Sequence, residues 1–190
     1  GLGDAINAAW RQAILAVAGG FPRPSIILHS ASLAREDLAV LIPGRSGRGK
    51  SSLTAWLLRQ GYEHLSDDVA ALRPDGFVET VYGPLFIRAD VWPLIERLNL
   101  PGQHLELEGG GRLIQPQQRT DATAVAKPCR LILLPTFNRK TLPAIELLPP
   151  AHTATALMQH NHSAPDTRDH GLSIAVAASA GATALRLTYG

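Results

Sequence analysis

The chain has 190 residues, of which 45% are hydrophobic, and this length and composition suit a single globular domain with its own apolar core. The formal net charge is only +2 and the basic residues are scattered, which argues against nucleic acid as a partner. No run of about 18 apolar residues is present, so a membrane-spanning helix is excluded, and the single cysteine, Cys129, excludes an internal disulfide. The first residues lack the basic and apolar parts of a signal peptide, which favours a cytoplasmic protein without membrane contacts.

The predicted elements begin with an amphipathic helix over Gly3 to Ala18, where apolar residues recur at helical spacing. This helix packs either on its own domain or on a second copy of the chain, so a homo-oligomer stays open. A short apolar strand is expected from Ser25 to His29. A polar turn around Arg35-Glu36-Asp37 then leads into a second apolar strand from Leu38 to Ile42, which we expect to be fully buried.

Helices and short strands alternate through the middle of the chain. The expected helices run from Ser51 to Gln60 and from Val91 to Leu98, and the expected strands from Tyr62 to Ser66, Val69 to Leu72, Phe77 to Tyr82 and Leu85 to Ile87. The stretch from Asn99 to Thr123 is rich in Gly, Gln and charge. We interpret it as a long surface segment, or a flap, with weak strands at Leu105–Leu107 and Arg112–Ile114.

The last third continues in the same way. The expected strands run from Leu131 to Leu134, Ile145 to Leu148 and Leu185 to Tyr189, the expected helices from Thr153 to His160 and Ile174 to Ala180, with a polar loop from His160 to Gly171 between the helices. Strands outnumber helices but alternate with them. The pattern therefore predicts the α/β class with a mixed β-sheet.

A glycine-rich loop over residues 44–51 joins the buried strand to a helix and satisfies the phosphate-binding pattern G-x-x-x-x-G-K-[ST] in full. Its glycines let successive backbone N–H groups turn inward toward phosphate oxygens, and the following helix adds its positive N-terminal end. The lysine of this pattern reaches the terminal phosphates, and the serine hydroxyl binds Mg²⁺. The predicted ATP-binding residues are Gly44, Arg45, Ser46, Gly47, Arg48, Gly49, Lys50, Ser51 and Ser52.

Two adjacent aspartates, Asp67 and Asp68, close the first strand after the loop's helix. Neighbouring residues of an extended backbone point to opposite sides. One carboxylate is therefore able to face a metal ion while the other takes a proton from an attacking hydroxyl. A strand-capping turn is the alternative role for such an acidic pair, and the phosphate-binding pattern one helix earlier favours the chemical one.

The succession of His29, the glycine-rich loop, Gly61 and Asp67-Asp68 resembles the HPr kinase/phosphorylase family over residues 25–72. The resemblance implies a P-loop core related to ATP-dependent phosphoenolpyruvate carboxykinase, with ATP and Mg²⁺ as cofactors. HPr kinases have an additional N-terminal domain, and related proteins continue into a helix beyond the strand that ends here at Tyr189. We therefore expect residues 1–190 to be a single catalytic domain that is truncated at the C-terminus.

The resemblance also implies roles for individual residues. Lys50 binds phosphate, and Ser51 and Asp68 hold Mg²⁺. Asp67 is the acid/base aspartate at the attacking hydroxyl, and His29 lies beside the transferred phosphoryl group. For His29, a buried structural side chain is the alternative.

Arg88 resembles an arginine of a later family motif, although the glutamate that usually accompanies it is replaced by an apolar residue. This departure argues against recognition of HPr itself and against the reverse phosphorylase reaction. The chain is closer to HPr-kinase-related proteins of bacterial biosynthetic clusters, including those that phosphorylate peptide precursors.

The predicted function is transfer of the γ-phosphoryl group of ATP to a hydroxyl, with a serine of a protein or peptide as the expected acceptor. Three alternatives stay open: a kinase for a small hydroxy compound, a nucleotide-binding switch that transfers no phosphate, and a carboxykinase-like reaction. The absence of a guanine-reading Asn-Lys-x-Asp motif argues against a GTPase, and no manganese-ligand set favours the carboxykinase.

Two weaker groups of residues remain. His160, His162 and His170, with Asp166 and Asp169, lie in one polar segment, but their spacing matches no known zinc pattern, so we expect a solvated loop. The segment from Arg119 to Lys127 and the pair Arg139-Lys140 are candidates to place a cation on the phosphoryl group, and solvent-exposed charge explains them equally well.

Overall fold

A computed structural model of the chain describes residues 25–81, 83–116, 126–163 and 169–190, together with Ala9 and Gln12. The predicted helix over Gly3 to Ala18 lies outside these residues, apart from Ala9 and Gln12, which are both helical. Arg119 and Asp166 also lie outside them. Within the described ranges, no helix is long and apolar enough to cross a membrane.

The described part of the chain is mixed α/β and contains four helices and thirteen strands, most of them short. The helices are α1 (Lys50–Arg59), α2 (Trp92–Glu96), α3 (Pro150–Gln159) and α4 (Leu172–Gly181). The strands are β1 (Ile26–Leu28), β2 (Ser30–Arg35), β3 (Leu38–Pro43), β4 (Glu63–Ser66), β5 (Ala70–Leu72), β6 (Phe77–Glu79), β7 (Leu85–Ile87), β8 (Gly102–Glu106), β9 (Arg112–Pro116), β10 (Lys127–Phe137), β11 (Ala144–Leu147), β12 (Asn161–Ser163) and β13 (Thr183–Tyr189).

Ten of the strands form one mixed sheet that is mostly antiparallel. Eight follow the order β12-β1-β5-β6-β10-β3-β2-β4, and β13 joins β10 and β11. Only two pairs among the described strands are parallel: β10 runs parallel to β3 and to β13. The predicted mixed sheet is therefore confirmed.

A separate antiparallel sheet has the order β7-β9-β8. Its strands β8 and β9 occupy much of the stretch that was expected to be a surface segment. The two weak strands predicted there exist, but β8 begins at Gly102, earlier than predicted, and β9 extends to Pro116.

Two further strands, β2 and β12, were not predicted. β2 is rich in serine, and its buried hydroxyls are satisfied by other strands: Ser32 Oγ lies 2.7 Å from Ser66 Oγ, and Ser30 Oγ accepts a hydrogen bond from Ile42 N at 3.1 Å. β12 pairs with β1 and replaces the start of the predicted polar loop.

Helices cover both faces of the large sheet. α3 and α4 pack on one face, where Leu157 and Ile174 meet the strand residue Leu41. α1 packs on the other face through Leu57, which joins a cluster with Leu33. The opposite side of α1 packs against β7, β9 and α2, so the helix is held between the two sheets.

Strand direction brings several chain segments to one edge of the large sheet. β3, β10 and β13 run parallel, and β4 runs the same way as β3 because β2 is antiparallel to both. The carboxyl ends of these four strands therefore lie at the same edge, followed by Gly44, Asn138, Gly190 and Asp67. His29 lies there too, because β2 starts where β3 ends. The crevice outside such carboxyl ends is the usual ligand site of α/β proteins.

Candidate functional site

The glycine-rich loop leaves β3 at this edge and enters α1 at Lys50. The backbone N–H of Gly44 donates to the His29 carbonyl at 3.2 Å, and Arg48 N donates to the Arg45 carbonyl at 3.3 Å. The helix begins without a side-chain cap among the described residues. Because the first N–H groups of a helix have no intrahelical acceptors, the start of α1 favours an anion.

Contacts from two distant strand ends fix the second half of the loop. Tyr189 Oη, at the end of β13, donates to the Gly49 carbonyl at 2.8 Å, and Phe137 N, at the end of β10, donates to the Arg48 carbonyl at 3.2 Å. Gly49 has a φ of 97°, and a Cβ there would lie 2.2 Å from Tyr189 Oη. Only glycine therefore fits this position. Burial raises the pKa of Tyr189 to about 12, so its hydroxyl stays a donor at neutral pH.

Lys50 points into the protein and lies at the centre of a polar cluster. Its side chain is 5% exposed, and Nζ lies 2.8 Å from His29 Nε2 and 3.9 Å from Asp68 Oδ1. His29 Nε2 is also 3.4 Å from Asp68 Oδ1. Because an ammonium group only donates hydrogen bonds, Lys50 Nζ is the donor in its contact with His29 Nε2.

Asp67 and Asp68 face different partners, and they lie in a bend directly after β4 rather than on the extended strand that the sequence predicted. Asp67 is 8% exposed, and its Oδ2 accepts a hydrogen bond from Phe86 N of β7 at 3.0 Å. Asp68 is more exposed and faces Lys50 and His29. The first carboxylate is therefore tied to the small sheet and the second to the lysine.

Two histidines that were assigned to a solvated loop lie against this cluster. The His160 carbonyl accepts from His29 N at 2.7 Å, and the His162 ring lies 5.2 Å from the His29 ring. Burial lowers the pKa of His160 to about 4, and the charges of His29, Lys50, Arg45 and His162 lower it further. His160 is therefore neutral at pH 7, in surroundings that carry positive charge.

Arg88 is held by a surface aspartate. Its Nε lies 2.9 Å from Asp90 Oδ1, and the side chain is 52% exposed. The hydrogen bond to Asp90 raises the pKa of Arg88. Within the described part of the chain, no hydrogen bond or ion pair joins Arg88 to Lys50 or Asp67. The structure thus brings His29, Lys50, Asp67 and Asp68 to one edge, and leaves Arg88 two residues beyond the strand residue that binds Asp67.

The remaining predicted residues form the rim of the loop. Arg45, Ser46, Gly47 and Arg48 are exposed, while Ser51 and Ser52 lie partly buried in the first turn of α1. Among the described residues, no group of three or more His, Cys, Asp or Glu side chains is arranged to hold a metal ion. A cation between Ser51 and Asp68 would therefore need further oxygen ligands from water or phosphate.

Phe137, Tyr189, His160 and His162 are the site residues that the sequence did not identify. One signal was present for Tyr189, which ends a strand that was expected in the sheet, and parallel strands end at the same edge. Phe137 lies three residues beyond Leu134, where its strand was predicted to end. The sequence did single out His160 and His162 as members of a histidine-rich segment, but it predicted a solvated loop and no contact with His29. A scan against protein-family models and a search of curated proteins find no match to this chain.

Proposed function

We propose that this chain is an ATP-dependent kinase of the HPr-kinase type, which transfers the γ-phosphoryl group to a serine hydroxyl of a protein or peptide in the cytoplasm. The observation that carries the proposal is the meeting of Lys50, Asp68 and His29 directly beneath the glycine-rich loop, with Nζ–Oδ1 and Nζ–Nε2 distances of 3.9 and 2.8 Å. An ammonium group, a carboxylate and an N–H-rich loop are the parts that phosphoryl transfer requires.

The donor set around the loop suits a magnesium-bound triphosphate. Lys50 and the N–H groups at the start of α1 supply positive charge for the phosphates. The Ser51 hydroxyl and the Asp68 carboxylate are hard oxygen ligands of the kind that Mg²⁺ prefers. Bound there, Mg·ATP would supply the electrophilic phosphorus and neutralise part of its charge. A P-loop of the phosphoenolpyruvate carboxykinase-like kind accounts for this arrangement.

Asp67 is proposed as the general base. Its Oδ2 is held by Phe86 N, which keeps the carboxylate in place without neutralising it. The other oxygen is then the one to take the proton of the acceptor hydroxyl. Its low exposure also keeps water from competing for that position.

His29 and Arg88 have supporting roles in this proposal. His29 accepts a hydrogen bond from Lys50 and so orients the ammonium group toward the phosphates. Arg88 reaches the phosphoryl group only if its pair with Asp90 opens. Its role therefore depends on a rearrangement when the acceptor binds.

The proposal is tested with γ-labelled ATP, Mg²⁺ and host lysate, followed by mass spectrometry of the labelled species. A phosphoserine in a peptide or protein is the expected product. A labelled metabolite instead would indicate a small-molecule kinase, and slow hydrolysis without a labelled acceptor would indicate a nucleotide switch.

Asp67→Asn gives a sharper test, because asparagine still accepts the hydrogen bond from Phe86 N. Transfer should fall by about 10²–10⁴-fold, the usual contribution of a general base, while nucleotide affinity stays close to wild type. Asp37→Asn is the control, because Asp37 is exposed at the opposite edge of the sheet, in the turn between β2 and β3. If Asp67→Asn transferred phosphate at the normal rate, Asp67 would not be the general base.

A further inference from the structure

Positive charge is concentrated around the entrance to the proposed site. Arg45 and Arg48 are exposed on the glycine-rich loop, and Arg139 and Lys140 are exposed on the turn after β10. Within the described part of the chain, none of these four side chains forms an ion pair with a carboxylate. Their combined charge exceeds the net charge of +2 of the whole chain.

The turn that carries Arg139 and Lys140 is fixed beside the loop by backbone contacts. Phe137 N donates to the Arg48 carbonyl at 3.2 Å, and Asn138 N donates to the Tyr189 carbonyl at 2.8 Å. The same tyrosine binds the Gly49 carbonyl. Loop and turn therefore form one rim, and their relative position does not depend on exposed side chains.

The rim continues on the side of the small sheet. In the Arg88–Asp90 turn, the hydrogen bond from Arg88 lowers the pKa of Asp90, and the charge of Arg139 lowers it further. That turn begins two residues after Phe86, whose N–H binds Asp67. Arg88 is therefore the exposed cation closest in sequence to the contact that holds the proposed base. We call Arg45, Arg48, Arg88, Arg139 and Lys140 the basic rim.

We propose, on the basis of the kinase function above, that the basic rim recognises an acceptor peptide in which the serine is flanked by acidic residues. Lys50 and the start of α1 lie inside the loop and serve the nucleotide, whereas Arg139 and Lys140 lie on a separate turn outside it. Arg139 and Lys140 are therefore placed to contact the second substrate, the phosphoryl acceptor, when it approaches the bound nucleotide. A cleft lined by one sign of charge concentrates ligands of the opposite sign and repels those of the same sign.

A phosphate-rich nucleic acid would also be attracted by exposed arginines. The peptide is favoured because Asp67 and Asp68 lie at the same entrance. Two carboxylates oppose a continuous phosphate backbone, but they accommodate one neutral hydroxyl between acidic flanks that reach the rim. The positive charge of the basic rim is thus complementary to the acidic flanks of the peptide. The two carboxylates at the centre of the site accommodate the neutral serine hydroxyl.

The test uses binding, so that it does not depend on transfer. Fluorescence anisotropy is measured with three labelled peptides of equal length, in which one central serine is flanked by glutamate, alanine or lysine, in the presence of Mg²⁺ and a non-hydrolysable ATP analogue. The glutamate peptide should bind at least about ten-fold more tightly than the lysine peptide, the sum of several exposed ion pairs. The difference should shrink between about 0.1 M and about 1 M salt, because the Debye length falls from about 10 to about 3 Å.

The double substitution Arg139→Ala/Lys140→Ala should remove most of this preference. The matched control is Arg59→Ala/Arg97→Ala, which removes two exposed arginines, one at the C-terminal end of α1 and one directly after α2. Equal binding of the three peptides, or an equal loss in the control, overturns the inference. Displacement of the glutamate peptide by a single-stranded oligonucleotide of equal charge, bound more tightly, also overturns it. A normal result with Asp67→Asn in the transfer assay would refute the kinase mechanism and leave this binding result standing.

Discussion

At its N-terminal end, α1 buries the ammonium group of Lys50 between His29 and Asp68; beyond its C-terminal end, the chain buries His64 beside Leu58 and Tyr62. Both side chains are 5% exposed. Lys50 has a carboxylate and an imidazole as neighbours. Neither ring nitrogen of His64 has a hydrogen-bond partner within the described residues.

Burial alone therefore determines the state of His64 and lowers its pKa to about 4. At neutral pH the ring carries no charge, which is the state of lowest free energy for a titratable group in apolar surroundings. Burial of an ionisable residue thus does not by itself identify a site. Lys50 differs from His64 because it has polar partners, which come from segments far apart in the sequence. These partners distinguish the N-terminal end of α1 from its C-terminal end.

The largest effect is expected from Lys50→Met, which removes the central cation and keeps an unbranched apolar stem. Nucleotide affinity should fall by about 100-fold or more, because charge-assisted hydrogen bonds to phosphate are lost. Isothermal titration calorimetry with Mg·ATP measures the change. Lys127→Met is the control, since Lys127 lies at the start of β10, at the opposite edge of the sheet. Unchanged affinity in Lys50→Met would remove the basis for the nucleotide site.

The second prediction concerns the contribution of His64 to the pH dependence of the free energy of unfolding. The unfolded state binds a proton near pH 6.5 and the folded state only near pH 4. The stability linked to His64 is therefore complete above about pH 6.5 and is lost as the pH falls toward 4, by a total of roughly 3 kcal/mol. Urea unfolding at several pH values in this window should show a smaller pH slope for His64→Leu than for wild type.

Nucleotide affinity of His64→Leu should remain normal, in contrast to Lys50→Met. His152→Leu, on the exposed face of α3, is the matched control and should leave the slope as it is. Part of the pH slope of the unfolding free energy should persist in His64→Leu, because the pKa of His160 is lowered as well. An unaltered slope in His64→Leu would show that the ring is hydrated or paired in solution.

The smallest effect is expected from Tyr189→Phe, which removes the hydroxyl that binds the Gly49 carbonyl and keeps the ring contact with Phe137. One hydrogen bond contributes about 1 kcal/mol, so nucleotide affinity should fall about five-fold, with little change in the thermal midpoint. Tyr62→Phe, at the other end of α1, should change neither quantity. Equal affinities of Tyr189→Phe and wild type would show that the loop keeps its shape without this contact.

The sequence predicted those features that depend on neighbouring residues. The strand before the loop, α1 and β7 fall close to their expected bounds, because apolar runs and glycine punctuation are local signals. It missed β2, whose small serines pack well only once β3 and β4 enclose them. It also missed the roles of His160 and Tyr189, since their contacts with His29 and Gly49 exist only when the sheet is assembled.

The contact between Tyr189 and Gly49 spans 140 residues, and this separation has a consequence for the order in which the protein forms. A growing chain presents the complete glycine-rich pattern long before the strand that fixes it has been synthesised. Contacts of such long range are slow to form, because closing a long loop costs entropy before the contact stabilises anything. Fragments that stop short of β13 should therefore contain the whole pattern and still hold the loop in many shapes. The residues that define the pattern are synthesised first, and Tyr189, which fixes the loop in one shape, follows 140 residues after Gly49.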